Sequence, residues 1–70
     1  MKYTVIYEKS GTGYSAYVPD LPGCVAAAKT LDQTKQSIRE AIEMHIGSLK
    51  QHGEPVPQPT TVSDSITVSA

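Results

Sequence analysis

A chain of 70 residues with a single cysteine must hold its fold together without a covalent staple. Folding at this size buries roughly 60% of the surface that the unfolded chain exposes. The core then supplies about 3–5 kcal/mol, and small domains usually add disulfides, a metal or a partner chain. Cys24 has nothing to pair with inside the chain. His45 and His52 are the only histidines, so a four-ligand structural zinc site is not expected either. Association remains, with a second copy or with another protein.

Charge narrows the class of partner. Six basic residues face seven acidic ones, and the basic ones are scattered along the chain. Nucleic-acid binding needs a dense basic face, because phosphate neutralisation supplies most of its affinity. Direct DNA binding by this chain is therefore not expected. A 39% hydrophobic and 19% charged composition fits a soluble globular domain and not a disordered one. No run approaches the ~18 apolar residues of a membrane span, and MKYTVIYEKSG lacks a signal-peptide pattern. With a lone free cysteine, the expected location is the cytoplasm.

The pattern predicts β-β-β-α-β order in one α+β domain over residues 1–70, with no second domain. Residues Lys2 to Glu8 alternate and are rich in aromatic and β-branched types, as in a strand. Ser10 to Gly13 is a turn cluster, and Tyr14 to Val18 form the second strand, ended by Pro19. Asp20-Leu21-Pro22-Gly23 is a tight turn, with glycine where a type II turn needs positive φ. Cys24 to Ala28 form a third strand of small residues, over which the helix is expected to pack.

The helix signal is the strongest. Thr30 is an N-cap with Gln33 at the capping-box spacing, and Gly53 is the stop, with Pro55 beyond it. Leu31, Ile38, Ala41, Ile42, His45 and Leu49 share one arc, the expected core face. Alternating prolines hold Glu54 to Pro59 extended, and Ser65 to Val68 read as a last strand. One helix covers one face of an antiparallel three-stranded sheet and leaves the other face to water or a partner.

Little in the chain reads as chemistry. His45 and His52 stand two helical turns apart, roughly 10 Å at 1.5 Å per residue, too far to share one metal. Asp32, Glu40 and Glu43 read as solubility charges on the outer face of the helix. Cys24 reads as a small core residue, and Gly11-x-Gly13 precedes a strand, where a phosphate loop would precede a helix. No catalytic residue, metal site or cofactor is expected, and the chain is not expected to be an enzyme. Tyrosine is favoured at protein interfaces, so Tyr3, Tyr7 and Tyr17 are candidate interface residues. Tyr14, Pro19, Asp20, Leu21, Pro22, Gly23 and Cys24 read as mainly structural.

These motifs carry a resemblance. Tyr14-Ser-Ala-Tyr-Val-Pro-Asp-Leu-Pro-Gly-Cys24, then Thr30-Leu31, Ile38-Arg39-Glu40-Ala41-Ile42 and Gly53-Glu54-Pro55-Val56-Pro57, resembles the HicB family of antitoxins over nearly the whole chain. The family pattern reads Y-x-A-x-V-P-D-L-P-G-C, T-L, I-R-E-A-I and G-E-P-x-P in that order. The resemblance implies a truncated RNase H-like fold without nuclease activity. It implies a HicA-like, mRNA-cleaving toxin as partner, neutralised by covering its active surface. Many members add a DNA-binding domain that represses their operon; with the sequence ending after the expected fourth strand, no such domain is expected here. Self-association as a dimer or tetramer is expected from the thin core and open sheet edges. The alternative is a stand-alone homo-oligomeric interaction domain with no active toxin partner.

Overall fold

A computed structural model describes residues 1–69; the last position of the expected domain lies outside the described residues. Three strands, β1 (Ile6–Ser10), β2 (Gly13–Tyr17) and β3 (Val25–Ala28), precede one helix, α1 (Leu31–Gln51). The strands form one antiparallel sheet in the order β1-β2-β3.

Register follows from the connections. Ser10 pairs with Gly13 around a two-residue loop, which sets Ile6 opposite Tyr17. Residues 2–5 fall outside the ladder because β2 ends there: Pro19 cannot donate, and the chain turns away after Val18. β1 accordingly starts later than the alternation suggests. Gly13 also lies close against β3, since a Cβ added there would collide with the carbonyl oxygen of Ala28.

Two consecutive turns shape the segment after β2. The Leu21 amide donates to the Val18 carbonyl at 3.0 Å, and the Cys24 amide donates to the Leu21 carbonyl at 3.0 Å. Gly23 takes a φ of 84°, a conformation that costs a residue with a Cβ. The pair of turns drives Leu21 into the core, where it is fully buried with Ala16, Val18, Cys24 and Ile38.

α1 begins and ends as its caps dictate. The Gln33 amide donates to Thr30 Oγ1 at 3.1 Å. At the other end the Gly53 amide reaches the Lys50 carbonyl and the Glu54 amide reaches the Leu49 carbonyl, the paired bonds of a Schellman motif. Ile38 is buried, and Leu31, Ala41, Ile42, His45 and Leu49 are half-buried. Thr34 is fully buried as well, which hydrophobic periodicity does not reveal. Its hydroxyl donates to the Thr30 carbonyl at 2.8 Å, so its burial leaves no unpaired polar atom.

One expected element is not formed. Residues 54–69 contain no strand, and Ile66 and Val68 are 80% and 76% exposed. A strand exists only through a neighbour's backbone, and no backbone hydrogen bond joins 62–69 to the sheet. The alternation of apolar and polar residues there supplies a strand sequence without a strand partner.

Candidate protein-interaction site

The surface is organised by which strand rows lie under the helix. On the inner face the rows are Tyr7-Ala16-Ala26 and Lys9-Tyr14-Ala28. Alanines on β2 and β3 let α1 lie close over those two strands, and its backbone stays away from that of β1. Tyr7 stands at the uncovered end of its row. A groove results between β1 and α1, with Val5, Tyr7, Ile38 and Ile42 as apolar lining and Lys35, Arg39 and Glu43 at the helix side.

The outer face carries no helix. There the rows are Ile6-Tyr17-Val25 and Glu8-Ser15-Ala27. Tyr17 is 42% exposed and Val25 64% exposed, so the first row is an apolar stripe open to solvent. Of the candidate interface tyrosines, Tyr17 lies on this stripe. Tyr3 and Tyr7 pack against the core from the inner side, and the Tyr3 hydroxyl donates to the Pro57 carbonyl. The three tyrosines therefore do not form one surface.

Asp20 does more than turn the chain. Its carboxylate accepts from the amides of Thr60 and Thr61 at 3.2 and 3.0 Å and from their hydroxyls at 3.0 and 2.9 Å. The Thr61 amide hydrogen bond is the main cause holding the Asp20 carboxyl below its ordinary pKa; the two hydroxyls and the Thr60 amide add to it, and partial desolvation opposes it. Thr4 Oγ1 donates to the Thr61 carbonyl at 2.8 Å. Four donors and one acceptor thus fix residues 60 and 61 against the end of the sheet. Sequence reasoning assigned Asp20 to the turn alone. The Thr60-Thr61 pair after the proline run was the available signal, but it lies 40 residues away and nothing local links the two.

Cys24 and His45 line one shallow depression with Val25 and Met44. Burial pushes the Cys24 thiol pKa up, away from the thiolate that a nucleophile needs. His52 Nδ1 donates to the Ser48 carbonyl at 2.8 Å and serves the helix end. Among the described residues no three His, Cys, Asp or Glu side chains gather around a common metal position, and no helix is long and apolar enough to cross a membrane. The prominent surface features are therefore an apolar groove, an apolar stripe and an unpaired chain segment.

Comparison with known proteins supplies a family. The family described as HicB-like antitoxin of bacterial toxin–antitoxin systems matches residues 3–69. A UPF0150 protein of Thermoplasma acidophilum is 45% identical over the full length of both chains. A UPF0150 protein of Synechocystis is 37% identical over 94% of this chain and 85% of its own. An uncharacterized 14.9 kDa protein of Haemophilus phage HP1 is 35% identical over 94% of this chain, which spans 50% of the phage protein.

Proposed function

The chain belongs to the HicB-like antitoxin family of bacterial toxin–antitoxin systems, and on that premise we propose that it binds a HicA-like, mRNA-cleaving toxin and covers its active surface. The match over residues 3–69 carries this reading. The outer sheet face offers the contact: the Ile6-Tyr17-Val25 stripe is apolar, unobstructed and centred on a half-exposed tyrosine. Tyrosine combines a large apolar area with a polar tip and little rotamer entropy, which suits an interface anchor. The role is one of binding and not of catalysis, in a truncated RNase H-like scaffold acting in the cytoplasm as a dimer or tetramer.

The test is co-expression with a HicA-like toxin, taken from the neighbouring gene where that gene encodes one. The expected result is a co-purifying complex and rescue of growth. Tyr17→Ser should weaken the complex while leaving the fold intact, because Tyr17 lies outside the core cluster. No complex and no rescue would defeat the neutralising role. A complex unaffected by Tyr17→Ser and Val25→Ser would move the contact off the outer face.

A further inference from the structure

The segment 62–69 and the groove beside β1 each lack what the other has. Val62, Asp64, Ile66 and Val68 fall on one side of an extended chain, and Ser63, Ser65, Thr67 and Ser69 on the other. Val62, Ile66 and Val68 are 90%, 80% and 76% exposed, three apolar side chains that a lone strand leaves in water. β1 is an edge strand, with one side of its backbone unpaired in the sheet. The groove next to it is apolar within and positive at the helix side, where Lys35 and Arg39 outnumber Glu43. The only charge on the apolar side of the segment is Asp64.

We propose that residues 62–69 pair as a fourth strand along β1 of a second copy, with reciprocal exchange forming a two-fold dimer. Val62, Ile66 and Val68 then enter the partner's groove against its Val5, Tyr7, Ile38 and Ile42 equivalents, and Asp64 meets the Lys35 and Arg39 positions. The Ser/Thr side joins the outer face. What supports exchange over folding back is that the segment makes no backbone bond to its own body. Asp20 and Thr4 clamp Thr60 and Thr61 at the sheet end, and beyond them no backbone hydrogen bond returns to the chain's own sheet. The same pairing satisfies the edge of β1 and covers the groove, the two costs this small domain carries alone. It gives a structural form to the self-association proposed above and is independent of toxin binding.

Sedimentation of the purified full chain, with no toxin present, tests this. The expected species has twice the 7.5 kDa chain mass. Ile66→Asp and Val68→Asp should each weaken the dimer roughly tenfold or more, by placing a charge in an apolar groove. The helical circular-dichroism signal should be unchanged, because both positions are exposed in the single chain. Asp64→Lys should also weaken the dimer, and Lys35→Glu with Arg39→Glu in the same chain should restore it. A monomeric full chain overturns self-association altogether. A dimer that survives Ile66→Asp with Val68→Asp overturns the strand exchange and leaves self-association standing. Failure of the charge swap to restore a dimer weakened by Asp64→Lys overturns the groove as the seat.

Discussion

Replacing Leu21 by alanine tests whether the Pro19–Gly23 turn serves the fold or a ligand. Leu21 has no exposed surface and sits among four other buried apolar residues, so the lost atoms leave a cavity that two constrained turns cannot close. Leucine-to-alanine changes at such positions cost about 2.7–5 kcal/mol, against a total of about 3–5 kcal/mol for a core this size. With about 3 of about 4 kcal/mol removed, the folded-to-unfolded ratio falls from roughly a thousand to roughly five. Urea denaturation followed by the circular dichroism of α1 is the assay. The midpoint should drop steeply while the slope stays constant. Because association also stabilises, parent and variant must be compared at one low concentration. Met44→Ala, at a 75% exposed position on α1, is the control and should shift stability by less than about 0.5 kcal/mol. A loss below about 1 kcal/mol for Leu21→Ala would refute the packing argument and favour a ligand-contacting role for the turn.

Three further outcomes follow from single groups. The Asp20 carboxyl is held below its ordinary value of 3.8, so its anchoring of residues 60 and 61 persists above that pH and is lost as pH falls through the lowered value. The amide resonances of Thr60 and Thr61 should report this transition below 3.8, and Asp20→Asn should disturb them at neutral pH; a midpoint at or above 3.8 contradicts the hydrogen bonds described. Gly13→Val places side-chain atoms where a Cβ already collides with the Ala28 carbonyl oxygen, so β2 and β3 must part. Overpacking of this kind costs about 1–3 kcal/mol, and thermal unfolding should fall by at least about 4 °C; an unchanged midpoint would mean the strands are not in contact there. Cys24 is 4% exposed and its thiol pKa is raised by burial, so a thiol reagent should modify the native chain roughly a hundredfold or more slowly than the urea-unfolded chain; comparable rates would place Cys24 outside the core.

What the sequence makes legible is what local chemistry decides. Thr30 with Gln33, Gly53 after His52, and Pro22-Gly23 each specify a backbone event within a few residues, and each event occurs at that position. The helix face is legible for the same reason, because a period of 3.6 is a local property. Asp20 and Thr34 escape because their partners are supplied by the tertiary fold: a threonine pair 40 residues on, and a core that a satisfied hydroxyl can enter. Ser65 to Val68 is the informative case. Its alternation is a genuine strand signal, and the single chain still leaves it unpaired, with Ile66 and Val68 in water. A strand pattern specifies a side-chain alternation and an edge requirement, but not which chain meets the requirement. In the proposed dimer, that unmet local instruction is answered by the β1 edge of a second copy. The unpaired alternation of residues 62–69 and the open edge of β1 are thus the two features that the proposed exchange would reconcile with one another.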